Sequence, residues 1–246
     1  MRRVMPDVVM HGTGNRFLLH FGVGDPQKLL AHCQDVDGVL ILTQDKETDL
    51  NMQIFNVDGG EAQQCGNGLR CAALHAYRSE LVPRTSMTIR TRAGVNHCVV
   101  HPERNEVEVL MGYPKVGGDT CGVALDVQAE FPPLQFVNLG NPNAVLWTEE
   151  DPLSVREVFG ELITNHVGFS EGMNLHVARR DAQNCATIAS WERGVGPTLA
   201  SGTGGASVFV TCTETEPFVV TSVGGSLTYS YTNEGQIRMA GPAVYA

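Results

Sequence analysis

The sequence predicts an α/β fold made of one module that occurs twice along the chain. Three observations predict it: landmarks of the first half recur in the same order in the second half, each half contains a glycine-rich loop followed by a segment without proline, and short strand-like runs outnumber long amphipathic helices. With 246 residues, the chain can bury the core of one large domain or of two small ones.

The repeat is clearest around the two glycine loops. When FNVDGGEAQQCGNG (Phe55–Gly68) is laid on WERGVGPTLASGTG (Trp191–Gly204), Cys65 falls on Ser201 and the flanking glycines coincide. Three further pairs of landmarks keep the same order: HGTGN with LGNPN, TRAG with TSVGG, and MGYP with MAGP. Four matches in one order indicate a duplicated α/β module, with the boundary expected at the small polar stretch Val116–Asp119.

Local patterns predict mainly strands, with one principal helix per half. Apolar residues recur at helical spacing between Gly68 and Leu81, directly after the first glycine loop. The predicted strands are Val99–Val100, Val107–Leu110, Phe218–Val220, Leu227–Tyr229 and Ile237–Met239.

Composition excludes several classes of function. The formal net charge is -10 and there is no run of Lys or Arg, which argues against a nucleic-acid partner. No apolar stretch is long enough to span a membrane. The seven cysteines are scattered and odd in number, without an export signal, which predicts reduced thiols in the cytoplasm; neither they nor the histidines are spaced as a metal site.

The glycine loops carry the chemistry. A glycine-rich turn that opens a helix presents unpaired backbone N–H groups and the positive end of the helix dipole, so it binds anions such as a carboxylate. A cysteine at such a position has a lowered thiol pKa, which makes Cys65 a candidate base. If the halves face each other, Cys65 and Ser201 lie on opposite sides of one pocket, an arrangement that suits proton removal from one face of a carbon and delivery to the other.

The chain resembles the diaminopimelate epimerase family over nearly its whole length. The matching stretches are MHGTGNRF, FNVDGGEAQQCGNGLRC, GNP, MNL, WERGVG, SGTGGA and MAGPA. The resemblance implies two pseudo-symmetric domains, each a mixed, mostly antiparallel sheet wrapped around a central helix, with the active site in the interdomain cleft. It also implies that the C-terminal strand returns to the first domain, so the domains are predicted as residues 1–115 with about 236–246, and residues 116–235.

The resemblance also implies an activity: inversion of the α-carbon of an amino acid without a cofactor, in a protein that often forms homodimers. The first base maps onto Cys65, and the second catalytic position onto Ser201. The reacting carboxylate is expected on the N–H groups of Gly66, Asn67, Gly202 and Thr203. The other residues that the family uses to line the site or to hold the far end of diaminopimelate map onto Asn15, Asn56, Asn141, Asn174, Glu192 and Arg193.

Three positions depart from the family pattern. The second catalytic cysteine is Ser201, the histidine that follows GNP in the family is Asn143, and the Glu-Thr before the second loop is Pro197-Thr198. A serine hydroxyl is a far weaker acid than a thiol, so Ser201 needs an activator to act as a base, although it can donate or relay a proton.

These departures leave four interpretations open. Ser201 is an introduced substitution that disables one base of an epimerase; the chain is a natural racemase for another amino acid; it is a one-base isomerase or lyase that works on one face of its substrate; or it is an inactive protein that binds an amino acid. The distal residues favour a substrate with a polar or charged far end.

Overall fold

A computed structural model describes residues 5–33, 35–63, 65–124, 127–212 and 217–246. Gln64, in the first glycine-loop stretch, lies outside the described residues, as do the first four residues of the predicted N-terminal domain and residues 125, 126 and 213–216 of the second. The chain divides into two compact units, Met1–Leu110 with Ala240–Ala246, and Met111–Met239.

The first unit is a mixed, mostly antiparallel arrangement of strands. Its helices are α1 (Pro26–His32) and α2 (Gly66–Arg78), and its strands are β1 (Val8–Gly12), β2 (Asn15–Phe21), β3 (Gly38–Gln44), β4 (Leu50–Asn56), β5 (Glu61–Ala62), β6 (Ser86–Thr91), β7 (Gly94–His101) and β8 (Glu106–Gly112), the last of which ends two residues into the second unit. β2 runs parallel to β3 and β4 runs parallel to β6, whereas β1–β2, β3–β4, β4–β5, β6–β7 and β7–β8 are antiparallel.

The second unit repeats this order of elements, but its first helix is longer than the first helix of the first unit. Its helices are α3 (Pro152–Thr164) and α4 (Gly202–Cys212), with short 3-10 turns at Gly118–Cys121 and Val127–Glu130. Its strands are β9 (Lys115–Val116), β10 (Leu134–Asn138), β11 (Pro142–Trp147), β12 (Asn174–Ala182), β13 (Cys185–Glu192), β14 (Gly196–Thr198), β15 (Phe218–Ser222), β16 (Gly225–Tyr231) and β17 (Ile237–Pro242), whose last three residues belong to the first unit. The C-terminal strand β18 (Val244–Tyr245) pairs with β1.

The two units share pairing direction and register. β11–β12 and β13–β15 are parallel, as β2–β3 and β4–β6 are, and the remaining pairs that correspond are antiparallel. Leu40 lies opposite Ile54 in the first unit, and His176 lies opposite Ser190 at the corresponding place in the second. The predicted pseudo-symmetric α/β fold is confirmed.

Each glycine loop opens the central helix of its unit. α2 is buried continuously from Asn67 to Ala76 and packs against β1, β2, β3, β6 and β7. α4 is buried from Gly204 to Val210 and packs against β10, β11, β12, β13, β15 and β16. A helix that is buried on all sides in this way serves as the core of its sheet.

The helix predictions need two corrections. α2 begins at Gly66 and ends at Arg78, three residues before the predicted end, because Glu80 adopts a positive φ of 61° that stops the helix. The prediction of one principal helix per half is wrong for the second unit, since α3 is as long as α2. Its start carries a local signal, Asp151 as N-cap followed by Pro152.

No helix in the described part of the chain has the length and apolar character needed to cross a membrane.

Candidate active site

Cys65 is the N-cap of α2. Its backbone is extended (φ -148°, ψ 112°), and its Sγ accepts a hydrogen bond from the Gly68 N–H at 3.4 Å. The Leu69 N–H bonds to the Cys65 carbonyl, whereas the N–H groups of Gly66 and Asn67 have no acceptor among the described residues. The sulfur therefore sits at the positive end of a helix beside two unused backbone donors, which favours negative charge on the sulfur and on a ligand.

Asn15 and Asn67, both predicted site residues, lie together beside the thiol. The Asn15 Oδ1 is 3.9 Å from the Cys65 Sγ and 3.5 Å from the Asn67 Nδ2. The Asn15 Nδ2 donates to the Asp37 carboxylate at 2.8 Å, which fixes the orientation of this amide. Asp37 therefore holds the Asn15 oxygen toward the cysteine.

Arg70, which the sequence analysis did not select, braces this half of the site. Its side chain is fully buried, and its Nη2 donates to the Asn67 Oδ1 at 3.0 Å and to the Thr13 Oγ1 at 3.2 Å. Its Nε donates to the Pro242 carbonyl at 3.2 Å. One guanidinium thus joins the first turn of α2 to the β1–β2 turn and the C-terminal segment. The only signal in the sequence was its place in CGNGLRC.

Ser201 occupies the equivalent position at the start of α4. Its Oγ accepts from the Gly204 N–H at 3.1 Å, and its carbonyl accepts from the Gly205 N–H. The N–H groups of Gly202 and Thr203 have no acceptor among the described residues, which repeats the pattern at Gly66 and Asn67. Ser201 is only 6% exposed.

Glu192, expected to contact a distal ammonium, lies beside Ser201. The Ser201 hydroxyl lies close enough to the Glu192 carboxyl group to affect its pKa. Burial raises the pKa of Glu192 above its ordinary value, and the bond from Ser201 opposes that shift in part. A carboxyl group that can exchange a proton with the hydroxyl is an activator of the kind that Ser201 requires.

Asn141 lies beside the second pair of backbone donors. Its Nδ2 donates to the Thr203 Oγ1 at 3.3 Å. Asn143, at the position where the family has histidine, is fully buried, and its Nδ2 donates to the Asn141 carbonyl at 2.8 Å and to the Val137 carbonyl at 3.2 Å. Asn143 therefore supports the Asn141 loop from inside the unit.

Asn56, Asn174 and Arg193, which are expected at the far end of a substrate, make few side-chain contacts with the residues around Cys65 and Ser201 that are described above. Arg193 is exposed, and its backbone N–H donates to the Asn174 Oδ1 at 2.9 Å. The Asn174 Nδ2 donates to the Pro142 carbonyl at 3.1 Å, so this amide ties two loops together. Asn56 is the exposed last residue of β4, and its backbone pairs with Gly59 and Gly60 in the turn that follows.

Other titratable groups have different surroundings. Burial raises the pKa of the Cys71 thiol, one and a half turns beyond Cys65, to about 12, so Cys71 stays protonated. In the part of the chain that the structure describes, no three His, Cys, Asp or Glu side chains are grouped to hold a metal ion.

The fold is shared with several solved structures at low sequence identity. A phenazine biosynthesis protein of the PhzF family from Bacillus anthracis is 17% identical with a TM-score of 0.69, and the match covers 98% of both chains. A probable proline racemase from Agrobacterium radiobacter is 15% identical with a TM-score of 0.67, over 98% of this chain and 90% of that one. A hydroxyproline epimerase from Agrobacterium vitis is 13% identical with a TM-score of 0.61, over 98% and 88%.

Two bacterial enzymes are 32% identical to this chain over 95% of its length. The diaminopimelate epimerase of Alkaliphilus metalliredigens is 32% identical, with 95% of this chain and 93% of the relative covered. That of Desulforudis audaxviator is 32% identical over 95% and 94%. The protein is thus an isomerase of the epimerase and racemase class. The chain belongs to the diaminopimelate epimerase family, whose sequence profile matches residues 30–116 and 135–246.

Proposed function

We propose that the protein is a cofactor-independent amino-acid epimerase or racemase of the diaminopimelate epimerase type, in which Cys65 and Ser201 act on opposite faces of the substrate α-carbon. The observation that carries the proposal is the equivalence of the two residues. Each caps the central helix of its unit, and each lies next to two backbone N–H groups without an acceptor among the described residues.

Cys65 is the base on one face. The thiolate takes the α-proton and becomes a thiol, and the electron pair of the broken C–H bond stays on the α-carbon and spreads into the substrate carboxylate. The helix terminus favours the thiolate before the transfer, and the thiol donates a hydrogen bond to the Asn15 Oδ1 after it.

Ser201 supplies the proton on the other face, with Glu192 as its partner. The hydroxyl gives its proton to the carbanion while the Glu192 carboxylic acid gives its own to the Ser201 oxygen. A neutral serine and a carboxylate remain, so no free alkoxide is formed. The raised pKa of Glu192 supports this role, because burial favours the protonated carboxyl from which the relay starts.

The carboxylate of the substrate binds the unused backbone donors. These are the N–H groups of Gly66, Asn67, Gly202 and Thr203. Donors at a helix terminus stabilise the extra charge that the carboxylate gains as the α-proton leaves. Arg193 can bind a distal carboxylate through two parallel hydrogen bonds, which favours diaminopimelate or a similar amino acid with a charged far end.

The direct test is proton NMR in D2O with a panel of amino acids that includes meso-diaminopimelate, followed by chiral analysis of every substrate that exchanges. Exchange with inversion supports the proposal and identifies the substrate. Absence of exchange from the whole panel would contradict it.

A one-base isomerase or lyase is the second candidate, and the inequality of the two caps favours it. The thiol of one unit corresponds to a hydroxyl in the other, and the histidine position of the family holds a buried asparagine. This candidate predicts exchange with retention of configuration in the same NMR experiment.

Cellular location and assembly are proposed on separate grounds. The seven cysteines are free thiols, which suits the reducing cytoplasm. A homodimer follows from the family resemblance, and sedimentation equilibrium would test it.

A further inference from the structure

A chain of polar side chains crosses the interior of the second unit. His176 on β12 is fully buried, and both of its ring nitrogens are hydrogen-bonded. The Nδ1 lies 2.9 Å from the Ser190 Oγ, and the Nε2 lies 3.0 Å from the Asn143 Oδ1.

The bonds of Asn143 determine the tautomer of this histidine. Because the Asn143 Nδ2 donates to two carbonyl groups, its Oδ1 is the acceptor that faces His176. The His176 Nε2–H must therefore donate to Asn143, and the Nδ1 accepts from the Ser190 hydroxyl. Burial lowers the pKa of His176 to about 3, so the ring is neutral at physiological pH.

The first unit has apolar residues at the positions that correspond to Asn143, His176 and Ser190, so the fold itself does not require polar residues there. By strand register, Phe17, Leu40 and Ile54 correspond to Asn143, His176 and Ser190. All three apolar residues are buried. Leu40 lies against Gly68 in the first turn of α2, so close that a Cβ on this glycine would be 3.1 Å from the leucine side chain. His176 lies against Gly204 in the first turn of α4 in the same way, and a Cβ there would be 2.4 Å from the His176 Nδ1.

The polar chain leads to the α4 donors. His176 orients the Asn143 amide, Asn143 holds the Asn141 carbonyl, and Asn141 bonds to the Thr203 hydroxyl. A leucine at position 176 would fill the space but could not orient Asn143, since it has no donor.

We propose that His176 is a positioning residue for substrate binding, which acts through Asn143 to hold Asn141 and Thr203 in place at the N-terminus of α4. The inference rests on the proposed function for its substrate, since the group positioned is the half of the carboxylate site that α4 supplies. His176 itself does not touch the substrate.

Three variants separate positioning from packing. His176→Leu copies Leu40 and keeps the apolar volume without a donor. His176→Gln can place its amide nitrogen near the Nε2 position and keep the bond to Asn143, whereas His176→Asn is too short for that bond and reaches only toward Ser190.

Steady-state α-proton exchange with meso-diaminopimelate is the first readout. His176→Leu and His176→Asn are expected to raise KM by about tenfold and also to lower kcat, because the α4 donors bind the carboxylate of the substrate and stabilise the charge that it gains as the α-proton leaves. His176→Gln is expected to stay within about threefold of the wild-type KM. Thermal unfolding of all three variants checks that each is folded at the assay temperature. An unchanged KM in His176→Leu, or an equal loss in His176→Gln and His176→Asn, would overturn the proposal.

A second readout does not depend on activity. In 15N-labelled protein, the Asn143 side-chain amide protons should exchange slowly with solvent in wild type and His176→Gln, and quickly in His176→Leu, with a shift of the Asn141 amide signals. If wild-type protein exchanges no α-proton, the proposed function fails while these spectra still decide whether His176 holds Asn143. Unchanged spectra in His176→Leu would refute the positioning role itself.

Discussion

Cys65 and Ser201 cap equivalent helices through the same hydrogen bond, from the backbone N–H three residues further on. The donor is Gly68 for the sulfur, at 3.4 Å, and Gly204 for the hydroxyl, at 3.1 Å. The capping geometry is therefore conserved between the two units, and only the chemistry of the capping atom differs. A thiolate can serve as a base by itself, whereas the hydroxyl needs a partner, and Glu192 lies near it.

Replacement of Cys65 tests the base. Cys65→Ala is expected to lower α-proton exchange by at least about 100-fold, because a positioned base contributes 10²–10⁴-fold. Proton NMR in D2O measures the loss. Cys33→Ala, at a half-buried cysteine outside the site, is the matched control and should exchange at the wild-type rate. Full exchange in Cys65→Ala would rule out the proposed base.

Replacement of Ser201 tests the second face. Ser201→Ala is expected to lower inversion by about 100-fold while exchange on the Cys65 face continues, and to cost about 1 kcal/mol of stability through the lost cap. Ser201→Cys should raise the rate of inversion, because a thiol gives and takes a proton more readily. Chiral chromatography and chemical denaturation provide the two measurements. An inversion rate that stays constant in both variants would show that Ser201 is not the second group.

The stability of Glu192→Gln should depend on pH relative to wild type. Since burial raises the pKa of Glu192 in the folded state, the folded protein holds this proton more tightly than the unfolded chain does. Wild-type stability therefore falls as pH rises from the ordinary value of 4.5 through the raised pKa, and the loss is constant above it. Glutamine has nearly the same shape and cannot ionise, so Glu192→Gln should gain stability relative to wild type above that range.

Urea denaturation at pH 4 and pH 7 checks this expectation. Glu149→Gln, at an exposed acidic residue, is the control and should follow the wild-type curve. A Glu192→Gln variant that is no more stable than wild type at pH 7 would show that burial of this carboxylate carries no penalty.

Arg193 should decide selectivity for the far end of the substrate. Arg193→Met is expected to raise KM for meso-diaminopimelate by about 10- to 100-fold, the value of a charge-assisted hydrogen-bonded pair, without effect on any amino acid that lacks a distal carboxylate. Because Arg193 is exposed, the substitution should not change the melting temperature. Equal effects on both kinds of substrate would place the distal site elsewhere.

Substitution of Gly12 tests whether the position of the buried Arg70 guanidinium contributes to stability. A Cβ on Gly12 would meet the Arg70 Nη2 at 2.9 Å and the Asn67 carbonyl at 3.2 Å, so the turn tolerates no side chain without a shift of the guanidinium. Gly12→Ala is expected to lose about 1–3 kcal/mol of stability in urea denaturation, the usual cost of overpacking. The control is Ala93→Ser in the exposed β6–β7 turn, which should leave the stability unchanged. Gly140→Ala would not serve as a control, because Gly140 has a positive φ of 91°. Wild-type stability in Gly12→Ala would mean that Arg70 can move at no cost.

Features encoded by neighbouring residues were predictable. CGNG and SGTG each place a capping side chain before small residues, and the structure starts α2 and α4 there. The start of α3 is equally local, because Asp151 caps the helix and Pro152 follows it, so the sequence encodes this helix start as well. Asn56 and Arg193 match the family sequence, but being exposed they have few contacts that determine where their side chains point.

Features that depend on distant residues were not predictable. Arg70 and His176 look ordinary in the sequence, since the partners that define their roles are far along the chain: Thr13 and Pro242 for Arg70, Asn143 for His176. Asn143 stands where the family has histidine, and its amide bonds to Val137 and Asn141, contacts that the sequence does not reveal.

The sequence by itself determined the duplication, the two helix entrances and the identity of their capping atoms, because strand periodicity and helix capping act over a few residues. The tertiary structure alone decided that Glu192 meets Ser201, that Arg70 braces Asn67, and that a neutral histidine supports Asn143. Each of these contacts depends on strand register and burial, which bring together side chains that the chain keeps apart and set their charge by removing water.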